Sequence, residues 1–345
     1  MVEYLSGNRI QGSSTKVTTP PQTSWKELGR TTLSSTSSDI TVSSFTAKDN
    51  LMVLIYAQDG SQMGYRVNSD TGNNYHIKRS MNGASDTNLQ STKAQVHAAG
   101  AQKEFNVSSW INIANQEKFF ISNTVSQGSN AGVSNNCSRN EIVGKWANTS
   151  DQITTFTLHN AGATGFSSGS EVVVLGYDTD EADSGSNFWQ ELGTTTATGS
   201  EDKLSVTVDK KYLMFEMYKI QNGACSADLQ FNGVTGNEYT WRIQSEGGSE
   251  VASSGGQPRI VVDRGQVNNA PAFVHGFIYN QSNKEKLVMS EAVSQSTAGS
   301  GNVPWRRELV GKWANTSSAI TSVDMINPES GSFAAGSYLK VWGAD

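Results

Sequence analysis

The side chains with the most chemistry in this chain are His76, His97, His159 and His275, Cys137 and Cys225, and the Arg-Xaa-Glu segments at Arg139–Glu141 and Arg306–Glu308. None of the histidines stands at a metal-ligand spacing, and no Gly-Xaa-Ser-Xaa-Gly elbow, phosphate-binding loop or His-Glu-Xaa-Xaa-His motif is present. Glu141 and Glu308 are the carboxylates that could serve glycoside hydrolysis, which needs an acid and a base on opposite sides of one bond. At a spacing of two on a strand, Arg and Glu share a face, so the expected role is a solvated cross-strand ion pair. Cys137 and Cys225 are expected as unpaired thiols, because spacing alone does not place them at bridging distance. The acidic run from Asp178 to Asp183 has the alternating carboxylates of a calcium loop but lacks the glycine and distal glutamate of a helix-loop-helix site. The expectation is a protein that is not an enzyme, with no catalytic or cofactor-binding residues, no metal and no cofactor.

The elements that position these groups follow from an internal repeat, which decides architecture before any local feature does. Val143-Gly144-Lys145-Trp146-Ala147-Asn148-Thr149-Ser150 recurs as Val310-Gly311-Lys312-Trp313-Ala314-Asn315-Thr316-Ser317, 167 positions later. Ile153 and Ile320, Asn160 and Asn327, and Phe166 and Phe333 keep that spacing, and Val125-Ser126-Gln127 answers Val293-Ser294-Gln295 at 168. Trp25-Lys26-Glu27-Leu28-Gly29 answers Trp189-Gln190-Glu191-Leu192-Gly193 at 164. The chain therefore divides into an extended arm over 1–22, a first domain over 23–178, an acidic flexible linker over 179–187 and a second domain over 188–345. Each domain is of ordinary size and is expected to be independent. The arm ends in Thr18-Thr19-Pro20-Pro21, which blocks helix and central strand. It is either a disordered leader or, through Tyr4, Leu5 and Ile10, a tether that orders on a neighbouring subunit.

Within the first domain the pattern is strand after strand. Ile40-Thr41-Val42-Ser43 alternates apolar and polar, and Leu51 to Tyr56 is a continuous apolar run suited to a central strand covered on both faces. Tyr65–Val67 and Tyr75–Lys78 flank Asp70-Thr71-Gly72-Asn73, which reads as a hairpin turn. Phe105 to Ile113, Lys118 to Ile121, Ile142 to Trp146, Ile153 to Leu158 and Val172 to Tyr177 are further strands. Residues 86–100 are the one region with room for a helical turn. Roughly eight to ten strands per domain predict an all-β fold of two tandem jelly-roll-like β-sandwich domains, with first and last strands adjacent. Trp146 and Trp313, with Trp25 and Trp189, are expected in the core, the other reading being aromatic platforms for sugar rings. Asn-Thr-Ser is read as a turn bonding its own backbone.

Composition narrows the partners. Lys and Arg total 26 against 32 Asp and Glu, a net charge of −6. Charged residues are only 17%. Phosphate binding needs clustered cations, so nucleic acid is not expected as a partner. No apolar run approaches the ~20 residues of a membrane helix, and no signal-peptide core is evident.

The Trp25 and Trp189 openings, the Asn-Xaa-Tyr segments at Tyr75 and Tyr239, the repeated segments at 139–150 and 306–317 and the leader Tyr4 to Gly12 resemble a group of proteins encoded largely by tailed viruses of marine microbes. These are similar to virion-surface proteins built from β-sandwich units. The resemblance covers nearly the whole chain and implies a viral structural protein located in the virion: a capsid component, capsid decoration or turret, or tail fibre. It implies partners that are copies of the chain itself, as a homo-oligomer, and other virion proteins. The alternative is a lectin-like attachment protein recognising host surface glycans.

Overall fold

The computed structural model describes residues 25–97, 102–178, 187–263, 271–294 and 303–345. The arm over 1–22 and all but the last residue of the linker over 179–187 lie outside the described residues. The described chain is all-β, in antiparallel sheets, and contains no helix. The first half runs β1 (Lys26–Thr32), β2 (Asp39–Val42), β3 (Asn50–Gly60), β4 (Met63–Val67), β5 (Tyr75–Met81), β6 (Thr87–Ser91), β7 (Ala94–Gln95), β8 (Gln102–Ile111), β9 (Lys118–Ser126), β10 (Ser138–Trp146), β11 (Phe156–Asn160) and β12 (Glu171–Tyr177). The second half runs β13 (Gln190–Thr196), β14 (Lys203–Thr207), β15 (Tyr212–Lys219), β16 (Gln221–Asn222), β17 (Ala227–Phe231), β18 (Tyr239–Ser245), β19 (Val251–Gln257), β20 (Ile260–Asp263), β21 (Ala272–Tyr279), β22 (Lys286–Ser294), β23 (Trp305–Trp313), β24 (Ser322–Ile326), β25 (Ser332–Phe333) and β26 (Tyr338–Ala344).

Each half holds an eight-stranded and a four-stranded sheet. The orders are β1-β12-β3-β8-β9-β10-β5-β6 and β2-β11-β4-β7 in the first half, and β13-β26-β15-β21-β22-β23-β18-β19 and β14-β24-β17-β20 in the second. The orders correspond strand for strand; β16 and β25 pair with each other and have no counterpart. First and last strands of each half are neighbours, as the sequence led us to expect, so the terminal strand β1 covers the edge of β12 and β13 that of β26.

Alternation along the strands builds three apolar clusters. Leu51, Val53 and Ile55 of β3 point to the small sheet and meet Ile40, Tyr65 and Phe156. Met52, Leu54 and Tyr56, on the opposite face, meet Tyr212, Tyr279 and Met289 of the second half. The uninterrupted apolar run of β3 is thus buried on both sides. In the second half Leu213, Phe215 and Met217 fill the corresponding inner cluster. The two large sheets stack through the third cluster, a seam joining the halves, where Tyr56 lies on Tyr279 with ring centroids 3.9 Å apart and nearly parallel planes.

Three local expectations change. The segment Asp70–Asn73 turns the chain, but β4 belongs to the small sheet and β5 to the large one. It is therefore a corner between sheets and not a hairpin. Asp70 accepts from the Gly72 amide at 2.7 Å and from Trp146 Nε1 at 2.6 Å, and the Tyr75 hydroxyl accepts from the Val67 amide at 3.0 Å. Turn chemistry is local, whereas the pairing partner is a tertiary choice. The stretch assigned room for a helical turn contains β6 and β7, whose backbones pair with β5 and β4. The strand number was also underestimated, because short edge strands carry little alternation.

Candidate functional site

The repeated octapeptide is mostly architecture. Trp146 and Trp313 are buried, and their indole N–H groups donate to Asp70 at 2.6 Å and Glu238 at 2.8 Å. A Cβ on Gly144 would meet the Phe120 ring at 2.6 Å, so glycine makes room for that ring against the strand. Asn148 accepts from the amides of Ser150 and Asp151, and Asn315 from those of Ser317 and Ser318, as the turn reading required. The carbonyls of Asn148 and Asn315 accept from Lys118 at 3.3 Å and Lys286 at 2.8 Å, each cation lying over the neighbouring tryptophan ring. Trp189 is buried in the seam and Trp25 is half-buried against Tyr177, edge-on at 4.6 Å. Three of the four tryptophans considered as sugar platforms are therefore packed away.

The ion pairs depart from expectation. Arg139 is not solvated: it is 3% exposed and bridges the halves. Its guanidinium donates to Glu141 on its own strand and, across the seam, to Glu308 at 2.6 Å, Glu250 at 3.1 Å and Gln244 at 2.7 Å. Side chains at spacing two do share a face, but the seam dehydrates that face. Arg306, the counterpart of Arg139, is exposed and, among the described residues, its guanidinium pairs with Glu308 alone, at 3.2 Å. Cys137 and Cys225 are free thiols buried in different clusters, and burial pushes both up to about 11. Asp178, the described end of the acidic run, pairs with Lys48 at 3.0 Å.

Past the buried seam, the outer faces of both large sheets continue into a cleft. On the first sheet, the register Lys145–Phe119–Ile111–Asn50–Tyr177 forms one row and Val143–Ile121–Ser109 the next. With Trp25, His76 and Lys78 these rows line a groove of about 890 Å³. Ile121 and Ser109 also line a hollow of about 290 Å³ between the sheets, beside Glu141, Glu291, Glu308 and His275. The last three border a third hollow of about 270 Å³ with Phe273 and Val293.

Sequence spacing brought Glu141 to Arg139, but only the stacking of the sheets brings Glu308, Glu291 and His275 to the same place. His76 lies in the groove wall, whereas His97 is buried 2.8 Å from Glu104 and His159 lies 2.6 Å from Asp39. Among the described residues no group of three or more His, Cys, Asp or Glu is arranged to hold a metal ion.

Burial pushes the Glu141 carboxyl up to about 7; Arg139 pulls it down, and Glu308 and Glu291 add to the rise. A hydrogen bond between the Glu141 and Glu308 carboxyls needs a proton on one of them. Because the folded value lies above that of an unfolded glutamate, near 4.3, the folded state holds the extra proton between about pH 4.5 and 7. Its stabilising effect is full below that window and is lost as pH rises through about 7. Stability of the wild type should fall by about 1–2 kcal/mol between pH 5 and 8 relative to Glu141→Gln, after allowance for solvent screening. Denaturant titrations of the two proteins across that range check this; parallel pH profiles would remove Glu141 as the source. His275, which burial holds below its usual range, is common to both proteins and cancels in the comparison.

By fold the chain is an all-β protein of stacked antiparallel sheets. No protein-family model and no curated protein matches its sequence. Solved structures give faint similarities. Ail, the attachment invasion locus protein of Yersinia pestis, in complex with the heparin analogue sucrose octasulfate, is 8% identical with a TM-score of 0.15, over 78% of this chain and 98% of that one. Neisserial surface protein A is 9% identical with a TM-score of 0.13, over 80% and 99%. Human GIVD cytosolic phospholipase A2 is 8% identical with a TM-score of 0.14, over 78% and 31%. Scores this low carry no argument about fold or role.

Proposed function

We propose that the chain is a virion structural protein, a capsid component, decoration or tail-fibre part, that acts by assembling with copies of itself and with other virion proteins. In this reading it is two tandem jelly-roll-like sandwiches descended from one design, and it makes and breaks no bond. The strand-for-strand correspondence of the two halves supports the duplication. The observation that carries assembly is the contiguous apolar strip on the first large sheet, where Ile111, Phe119, Ile121 and Val143 are all exposed. Such a patch on a polar surface marks a site that another protein covers. Light scattering on the size-fractionated protein at about 10 μM, a concentration at which ~8 kcal/mol of association is populated, should give a mass of at least two chains. A monomer across the micromolar range would overturn the reading.

The glycan-attachment alternative draws on the same groove, where Trp25, Phe119 and Tyr177 stand beside Asn88, Gln90 and His76. It predicts glycan-array binding that Phe119→Ala abolishes.

A further inference from the structure

Among the described residues, two of the open apolar surfaces correspond through the repeat to the two sides of the seam that joins the halves. At the 168 spacing Phe119 and Ile121 correspond to Leu287 and Met289, and at 167 Val143 corresponds to Val310. In the first half these residues are 56%, 61% and 49% exposed, whereas their counterparts are 1%, 6% and 2% exposed, buried in the seam. The opposite side of the seam shows the reverse. Phe105 and Val125 of the first half are fully buried there, and their counterparts at 168, Phe273 and Val293, are 38% and 45% exposed. Each half therefore carries both surfaces, and the fold uses one from each.

Both open surfaces carry charges of both signs. Lys78 and Lys145 flank the Phe119 strip and pair with Asp86 and Glu117, while the row Phe273–Val293 continues into the exposed Arg306 and adjoins Glu216, Glu291 and Glu308. The match between the surfaces therefore rests on their apolar residues and their places in the repeat. We infer that a second copy of this chain reproduces the seam between molecules, with Phe273 and Val293 of one copy seated on Phe119, Ile121 and Val143 of the next. The contact joins two different patches, so it is head to tail, and it propagates into a ring if the rotation closes and a filament if it does not. This rests on the assembly reading and adds to it the surfaces, the partner and the polarity.

Two full-length variants test it. Phe119→Glu/Ile121→Glu removes one surface, and Phe273→Glu/Val293→Glu the other. Each alone should be monomeric at concentrations where the wild type assembles, its self-affinity reduced at least ~100-fold. Mixed one to one, they should form a dimer that grows no further, because each supplies the surface that the other lacks. Assembly of either variant alone at wild-type affinity would sink the head-to-tail contact while leaving the assembly reading in place. A mixture that stays monomeric would also sink it. Far-UV circular dichroism and melting temperature equal to wild type establish that both variants are folded; Phe119→Ser and Phe273→Ser provide the same pairing with smaller perturbation.

Discussion

Replacing Arg139 with methionine is expected to destabilise the protein by about 3–5 kcal/mol, the cost of breaking a buried charge network from one side. The guanidinium lies among Glu141, Glu250 and Glu308, and its loss leaves Glu250 with Arg242 alone, at 2.6 Å, and Glu308 with the exposed Arg306. The carboxylates then stay dehydrated without their shared counter-charge. The same substitution at Arg306 should change stability by less than ~1 kcal/mol, because that side chain is 63% exposed and water already solvates it. Urea titrations of both variants at pH 7 decide the matter. Equal effects would mean that the seam does not exclude water from Arg139. Since Arg139 spans the halves, Glu308→Gln added to Arg139→Met should recover part of the loss, as coupled sites do.

The second large effect concerns one residue of the exact repeat. Lys312 is fully buried; its ammonium donates to the Gln127 carbonyl at 2.7 Å and pairs with the buried Glu285 at 3.4 Å. Glu285 in turn accepts from the Gly132 amide at 2.6 Å. The cation thus fastens the segment after β9 to the second large sheet. Lys145, its twin 167 positions earlier, is about one-third exposed and pairs with the equally accessible Glu117 at 2.8 Å. Lys312→Met should cost about 3–5 kcal/mol, because Glu285 is left charged and buried. Lys145→Met should cost no more than ~1 kcal/mol. Denaturant midpoints of the two variants, together with hydrogen exchange across 127–132, test the difference. Faster exchange there only for Lys312→Met is the expected signature, and identical behaviour of the two variants would contradict the asymmetric seam.

Both predictions turn on what a repeat leaves undetermined. Alternation in Ile40–Ser43 and the apolar run at Leu51–Tyr56 placed strands correctly, since burial of every second side chain, or of all of them, is written in polarity. The Asn-Thr-Ser turn was legible for a similar reason, because an asparagine that bonds its own backbone needs no distant partner. Tryptophan at matched positions spoke for the core, and Trp146 and Trp313 are there. The Asp70 corner was misread as a hairpin because the turn is local while the sheet that receives β5 is not.

The amino-acid sequence by itself determined that this protein is all-β, where most of its strands run and which residues share a face. Only the tertiary structure decided which of those faces loses its water. Phe119 and Leu287 are both apolar, and Lys145 and Lys312 are identical, so nothing in either residue says which one will be covered. Coverage depends on how two preformed sheets dock, a free energy summed over a whole face, and that sum puts Leu287 and Lys312 inside the seam and leaves Phe119 and Lys145 facing solvent. The arrival of Glu141 beside Glu308, Glu291 and His275 has the same origin: strand pairing aligns the last three in one row of the second large sheet, but Glu141, more than a hundred positions away in sequence, joins them only when the sheets stack.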